Sequence, residues 1–364
     1  MRGMPQLPPD RPRILLMSSN GTGMGHLSRL LGYARGIGDR AEVSFLSLSL
    51  AAPVVAGLGY DYEYLPSQDA IKIRPASWRR LFLDRLTDTL RRRRPDLVVF
   101  DGAHPYVGID VVRERFPEIR WVWSRRAFWK PGIGADQLAK TSWFDAVLEP
   151  GDLAEAGDQG ATVGQPSHHI NPVTILNPSD LGDRAADRAA LGLPADGPLA
   201  LVSLGTADLS DRTRPLGAVV AAMQAHGVGV CLTQSALVES ARGIDGVHLV
   251  RDFPIARRYA AFDIGVTEAG YNAFHEGLRL GLPSLFVPRA STARDDQAAR
   301  ARYAAAAGWS LVAQDPTEEE AHRAVGELLE RGDDLARAAQ AADPGNGAPQ
   351  AGDFLIDLIE GGQR

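Results

Sequence analysis

Cysteine is almost absent from this 364-residue chain, where Cys231 stands alone. One thiol cannot close an intramolecular disulfide, form a CxxC redox pair or build a thiolate zinc cluster, and a reducing cytoplasm suits such a chain. Long apolar runs are missing too. The stretch 1–13 carries prolines and charges but no apolar signal-peptide core, and no later run approaches ~18 apolar residues. Neither a standard secretion signal nor a membrane-spanning helix is expected, and the expected location is cytoplasmic. An excess of positive charge is also lacking. The net charge of −6 argues against nucleic acid as the main partner. It is spread unevenly, with 22 Lys and Arg against 19 Asp and Glu in residues 1–172 and 17 against 26 in residues 173–364, or +3 and −9. A basic first half suits an acidic acceptor or a lipid surface, although scatter also produces differences of this size.

What is present is a long, ordinary globular composition, 45% hydrophobic and 23% charged. At this length one core is too few, and two domains are expected. The chain opens with an apolar strand, Ile14-Leu-Leu-Met-Ser-Ser, then Gly21-Thr-Gly-Met-Gly-His26, a glycine-rich turn into a helix. Leu27, Leu30, Leu31 and Ala34 recur at helical spacing and make one core-facing stripe, with His26 outside it at the N-terminal end. A dinucleotide-binding loop is disfavoured, because the spacing is not G-x-G-x-x-G and no acid follows the next strand as required. Strands over 42–48 and 62–65 lead to a basic amphipathic helix over 77–94. Its Trp78, Leu81 and Phe82 with Arg79, Arg80 and Arg91 to Arg94 suit either an anionic membrane surface or, as the favoured account, a packed apolar face with an arginine fringe.

The strand 96–100 ends in Asp101-Gly-Ala-His104-Pro105, at the edge where parallel sheets bind ligands. Asp101 and His104 are therefore an acid–base candidate pair; the competing account has Asp101 capping a turn and His104 half-buried. The segment 120–131 is aromatic and basic. A strand there is followed by a loop in which Arg125, Arg126 and Trp129 are candidates for holding an acceptor, Trp129 by stacking on a sugar or covering a lipid chain. Strands at 146–148 and 161–163 are expected to close the first domain, and 164–172, rich in turn formers, reads as the interdomain hinge. His168 and His169 within it point to opposite sides of an extended segment and do not make a metal site. A strand at 199–203 then meets a glycine turn, where Ser203, Gly205 and Thr206 are placed to approach a diphosphate.

The most informative stretch runs from Val266 to Gln297. A short strand enters a glycine turn at Gly270 and a helix begins near Asn272, so free backbone N–H groups lie where an anion can bind. Asn272 and Glu276 share a face about 6 Å apart along the axis, a spacing that suits a diphosphate followed by ribose hydroxyls. After Pro283 a second strand ends in Pro288, and Asp295, Asp296 and Gln297 open the next helix. Asp296 also reads as an ordinary N-cap.

This segment resembles the donor half of GT-B glycosyltransferases of the MurG type, glycosyltransferase family 28, in its glycine turn, its helical Glu, its Gly-Leu-Pro-x-x-x-x-Pro strand and its closing Asp-Gln pair. The resemblance implies an α/β GT-B fold of two Rossmann-like domains facing across a cleft. The expected division is an acceptor-binding domain over 1–170, a nucleotide-sugar domain over 171–345 and a C-terminal helix over 346–364 returning to the first domain. It also implies an inverting, metal-independent transfer with no cofactor besides a nucleotide-sugar co-substrate. By the same resemblance Gly25, Gly205, Thr206, Phe253, Gly270, Tyr271, Asn272, Glu276, Asp296 and Gln297 bind the donor, with Phe253 against the nucleobase. The Gly-His at the end of the first loop makes His26 the candidate general base, with hydrogen bonding to the diphosphate as its alternative role. A carboxylate on both ribose hydroxyls favours UDP over dTDP. The expected acceptor is an envelope glycan, a glycolipid or a small natural product, reached with or without peripheral contact at the inner face of the membrane. Two rivals share the fold: a UDP-sugar 2-epimerase using Asp101 and Asp296, and an inactive partner subunit, which the intact donor residues disfavour.

Overall fold

The computed structural model describes residues 11–19, 24–204, 213–233 and 246–361, and its strands form two sheets in which neighbouring strands run parallel. The first contains β1 (Arg13–Ser18), β2 (Glu42–Ser47), β3 (Asp61–Tyr64), β4 (Leu97–Asp101), β5 (Arg120–Ser124), β6 (Ala146–Pro150) and β7 (His168–Ile170), in the order β3-β2-β1-β4-β5-β6-β7. Between them run α1 (Gly25–Ile37), α2 (Val54–Gly57), α3 (Gln68–Ile71), α4 (Pro75–Arg93), α5 (Ile109–Arg115) and α6 (Ala135–Leu138). The second contains β8 (Leu199–Ser203), β9 (Gly229–Thr233), β10 (Val247–Val250), β11 (Ile264–Thr267), β12 (Ser284–Phe286) and β13 (Leu311–Val312), in the order β10-β9-β8-β11-β12-β13. Its helices are α7 (Arg184–Ala190), α8 (Thr213–Ala225), α9 (Tyr271–Leu280), α10 (Gln297–Ala306) and α11 (Glu318–Ala342), and α12 (Ala348–Gly361) ends the chain.

Strands covered on both faces need apolar residues at every position, which is why β1 is continuously hydrophobic. Ile14 and Leu16 pack with Leu27, Leu30 and Leu31 of α1 on one face, while Leu15 and Met17 meet Phe82, Leu86 and Leu90 of α4 on the other. Each such side chain is worth roughly 1.5–3 kcal/mol of burial. Trp78 and Phe82 at the head of α4 are buried and stack at 5.3 Å, so this helix spends its aromatic face on the core, and the arginines fringe it. Among the described residues no helix is long and apolar enough to cross a membrane.

The last helix packs against α1 of the first lobe at a crossing that only glycine permits. A methyl group on Gly36 would overlap the Ala348 carbonyl, and one on Gly352 would overlap the Gly36 carbonyl and the Arg40 side chain. Backbone contact this close brings the chain's end onto its beginning.

Two segments depart from expectation. Residues 161–164 form a turn, in which Val163 N donates to the Gly160 carbonyl at 3.3 Å and Gly164 takes a φ of 74° that ends any extended run. The stretch read as a hinge instead supplies β7, which pairs with β6 at the edge of the first sheet; His168 stacks on Phe354 at 4.1 Å and His169 meets Glu155 at 3.2 Å. The crossings between lobes lie beyond it and are pinned by Arg279 in the last turn of α9. This buried guanidinium bonds Asp343 (2.7 and 2.8 Å), the carbonyls of Pro172 (3.0 Å) and Gly345 (2.8 Å), and Thr174 Oγ1 (2.8 Å). α9 thus holds the hinge at its C-terminal end and leaves its N-terminal end for the cleft.

Candidate active site

A cavity of about 850 Å³ lies between the lobes. From the second sheet it is bordered by Ser203, Thr233 and Val250 at strand ends and by Glu268 just past β11; from the first, by His26, by Ala103 past β4 and by Arg126 past β5. Both sheets therefore present the C-terminal ends of their strands to one crevice, where α/β folds bind ligands.

On the first lobe, Asp101 is fully buried at the end of β4 and gathers four hydrogen bonds. His26 Nδ1 lies 2.6 Å from Oδ1, Arg29 donates from Nη2 to Oδ1 (2.5 Å) and from Nε to Oδ2 (2.7 Å), and Ser124 Oγ donates to Oδ2 at 2.6 Å. Burial alone would raise the carboxyl, but the Arg29 charge and the His26 hydrogen bond outweigh it and hold it down at about 2. An ionised Asp101 accepts the Nδ1 proton, so the lone pair of His26 is on Nε2. Burial lowers the His26 pKa from its usual 6.5, with Arg29 and Arg126 adding to the effect and Asp101 opposing it. The imidazole is neutral at pH 7 and oriented, as a general base must be.

Across the cavity, α9 begins at Gly270 with no side chain capping its N-terminus. The first backbone N–H groups have no intrahelical acceptor, and together with the helix dipole they make an anion site. Gly270 has φ −67°, so the backbone does not demand glycine; a methyl group there would lie in ordinary contact with Gln297 Nε2, at 3.6 Å. Asn272 donates from Nδ2 to the Gly25 carbonyl at 3.2 Å, a direct bond between the lobes, while its Oδ1 is buried without a partner. One turn on, Glu276 borders the cavity, and burial, with nothing to offset it, pushes its pKa up to about 7. Phe253 and Arg251 flank the same end.

The structure brings Gly25, His26, Phe253, Gly270, Asn272, Glu276, Gln297 and Arg126 to the cavity wall, and it relocates other candidates. His104 is exposed, outside the cavity lining, with its ring 6.4 Å from Tyr106; the partner of Asp101 is His26. Tyr271 touches the cavity, but its hydroxyl is spent on the hinge, donating to the Gly151 carbonyl and accepting from Val173 N, each at 3.0 Å. Trp129 is 1% exposed and packs against Trp123 in the first-lobe core, so it offers no stacking face. Arg125 is buried too and pairs with Glu149 at 3.0 Å. Asp296 is the N-cap of α10, accepting from Ala299 N at 3.0 Å, and its neighbour Asp295 faces the cavity instead. Gly205 and Thr206 lie outside the described residues. Arg29 escaped the sequence reading, whereas Asp295 was read with Asp296 and Gln297 as part of the loop opening the next helix, and it is Asp295 and Gln297 of that loop that reach the cavity. Among the described residues no cluster of three or more His, Cys, Asp or Glu is arranged to hold a metal ion.

Comparison with known proteins agrees with this geometry. Residues 244–352 match the model of the glycosyltransferase family 28 C-terminal domain. None of the curated proteins matches the sequence. Among solved structures, MurG of Acinetobacter baumannii is similar at 19% identity and a TM-score of 0.56, covering 96% of this chain and 99% of its own. The glycosyltransferase VinC in complex with DTDP is similar at 18% identity and a TM-score of 0.65, with 96% and 99% covered. The spinosyn forosaminyltransferase SpnP is similar at 15% identity and a TM-score of 0.68, with 96% and 100% covered. At these identities the likeness is one of fold, and the fold is GT-B.

Proposed function

We propose that this chain, a GT-B protein whose C-terminal lobe carries a glycosyltransferase family 28 domain, transfers a hexosyl or N-acetylhexosaminyl group from a nucleotide sugar to an acceptor hydroxyl with inversion. The observation that carries the reading is the juxtaposition, in one cavity, of a neutral His26 held by Asp101, an open helix N-terminus at Gly270 and the carboxylate of Glu276, which has no partner among the described residues. In this reading the diphosphate rests on the first turn of α9, the ribose hydroxyls donate to Glu276 and the base lies along 250–255. His26 Nε2 takes the proton of the acceptor hydroxyl as its oxygen forms a bond to the anomeric carbon. The bond from that carbon to the diphosphate breaks on the opposite face, and the leaving charge falls on the α9 N–H groups. UDP is the favoured nucleotide, since both ribose hydroxyls reward the carboxylate.

The acceptor in this reading is uncharged with an apolar body. Stretches 48–60 and 102–109 follow β2 and β4, on either side of β1, and contain no Asp, Glu, Lys or Arg. They expose Leu50 (59%) and Val107 (50%). The first-lobe arginines at the cavity, Arg29 and Arg126, are both paired with carboxylates, which leaves them less positive charge to offer a phosphate-bearing acceptor. The epimerase alternative loses its acids, because Asp101 is sealed beneath His26 and Asp296 caps a helix.

Titration calorimetry with UDP, dTDP and GDP tests the donor half, and nucleotide release from UDP-sugars in the presence of neutral and anionic hydroxylated acceptors tests the rest. Binding by none of the three nucleotides, or sugar turnover that survives His26→Ala, would overturn the reading.

A further inference from the structure

We propose that Arg29 is a positioning residue shared by the two lobes: it neutralises Asp101, so that the carboxylate orients His26 without trapping a proton on it, and the Tyr271 ring of the second lobe closes over the guanidinium. The inference rests on His26 being the base of the reaction proposed above and concerns what keeps that base ready.

A buried carboxylate beside an imidazole ordinarily favours the imidazolium, since a buried pair of opposite charges costs less than one bare charge. Such a pair would be a poor base at neutral pH. Here Asp101 is already matched. Arg29 grips both of its oxygens, Nη2 on Oδ1 at 2.5 Å and Nε on Oδ2 at 2.7 Å, a two-pronged hold that lysine cannot make. Oδ2 also accepts from Ser124 Oγ at 2.6 Å, and because that hydroxyl spends its hydrogen on Asp101, its oxygen accepts from Tyr33 OH at 2.8 Å. Tyr33 is fully buried, and burial together with the charge on Asp101 pushes its ionisation up, so it stays a donor. His26 Nδ1 shares Oδ1 with Arg29, whose Nη2 lies 3.3 Å from the ring nitrogen. A full positive charge that close to the imidazole opposes a second proton on it.

The other charges around the imidazole leave this balance to Arg29. Within the first lobe Arg126, past β5, works in the same direction. The second lobe faces His26 across the open cavity with Arg251 and Asp252 past β10, Glu268 past β11, Glu276 of α9, and Arg289, Arg294 and Asp295 past β12, three positive groups against four acids that nearly cancel. Tyr271 of α9 makes direct contact with Arg29. Its ring centroid lies 5.1 Å from the guanidinium carbon, while its hydroxyl is held by Gly151 and Val173. The next residue, Asn272, donates to the Gly25 carbonyl at the start of α1. Consecutive residues at the head of α9 thus touch the opening turns of α1 at two points. The turn on which the diphosphate is proposed to rest is therefore the turn that covers Arg29, and seating the donor lobe also shields the charge that keeps His26 neutral.

The test uses the full chain and reads His26 twice: by NMR titration of the histidine rings, its signal assigned from His26→Gln, and by kcat/KM with a UDP-sugar and a neutral hydroxylated acceptor across the pH range. Arg29→Gln is expected to raise the proton affinity of His26 by ~10-fold or more, moving the titration and the acid limb of kcat/KM upward together, while affinity for bare UDP changes less than about 3-fold. Arg29→Lys, which keeps the charge but not the fork, should restore the titration and only part of kcat. Tyr271→Leu should lower kcat in the wild-type background and much less beside Arg29→Gln, as residues acting through each other do in a double-mutant cycle. Tyr271→Phe, which keeps the ring and gives up the hydroxyl, should lower thermal stability and leave the titration in place. Should Arg29→Gln fold poorly, Ser124→Ala and Tyr33→Phe, which strip donors from the far side of Asp101, should move the titration the same way by a smaller step. A titration that the substitutions around Asp101 leave unmoved, or additive losses for Arg29 and Tyr271, overturns this inference alone. Wild type that turns over no nucleotide sugar overturns the proposed reaction, and the titration still decides what Arg29 does to His26.

Discussion

Replacing Glu276 by glutamine separates what this carboxylate does for the fold from what it does for a ligand. Its pKa rises from 4.5 to about 7 through burial with no compensating partner. The folded protein therefore holds that proton more tightly than the unfolded chain, and stability falls as pH rises from 4.5 through 7 and then levels off. At ~1.4 kcal/mol per pH unit, the span from 4.5 to about 7 sets a ceiling of about 3.5 kcal/mol on the penalty above pH 7, and partial contact with solvent reduces it to about 1–3 kcal/mol. Glutamine carries no charge to bury. The variant should match wild type in urea denaturation at pH 4.5 and exceed it by that margin at pH 8. Nucleotide affinity should move the other way, weakening by about 1–3 kcal/mol at pH 8 as a carboxylate that accepts from two hydroxyls is lost. Ribose hydroxyls favour the ionised acid, so UDP binding to wild type near pH 7 should release a proton, seen as a dependence of calorimetric enthalpy on buffer ionisation. A glutamine variant no more stable at pH 8 would mean that Glu276 has a partner in the fold, and unchanged UDP affinity would place the ribose elsewhere.

His26→Ala should lower kcat by ~10²–10⁴-fold with little change in donor KM, and the acid limb of wild-type kcat/KM should fall through a pKa below 6.5, since the imidazole must be neutral to act; stopped-time assays across pH 5–8 read both. Asp101→Asn should also cost about 3–5 kcal/mol of stability, because Arg29 is left buried without its carboxylate, so a urea titration distinguishes it from His26→Ala. Trp129→Ala should cost about 3–5 kcal/mol by emptying a core site while acceptor KM stays unchanged, whereas an unperturbed fold with a raised acceptor KM would return Trp129 to the binding surface. Gly36→Ala should destabilise by about 1–3 kcal/mol through overpacking against α12, and proteolysis should then release the C-terminal helix first.

The second-lobe wall of the cavity was legible in the sequence because its geometry is local. Gly270, Asn272 and Glu276 stand on the first turns of one helix, and 3.6 residues per turn converts their spacing directly into a shared face. The same locality placed β11, α9 and β12 within about a residue of their observed limits. The opposite half depends on pairings that no periodicity encodes. His26 and Asp101 are 75 positions apart, and Arg126 and Asp295 are 169 apart; each pair meets only because strand order brings the ends of β1 and β4, or the two lobes, together. This is why Asp101 looked like a partner for His104, three residues away, and why a loop rich in Trp and Arg looked like a surface for an acceptor. Aromatic and basic residues do mark an interface there, but the surface they bind is the donor lobe of the same chain. With that loop fastened across the cleft, the acceptor site proposed above falls at the neutral, apolar edge between β2 and β4, with His26 between them as the proposed base.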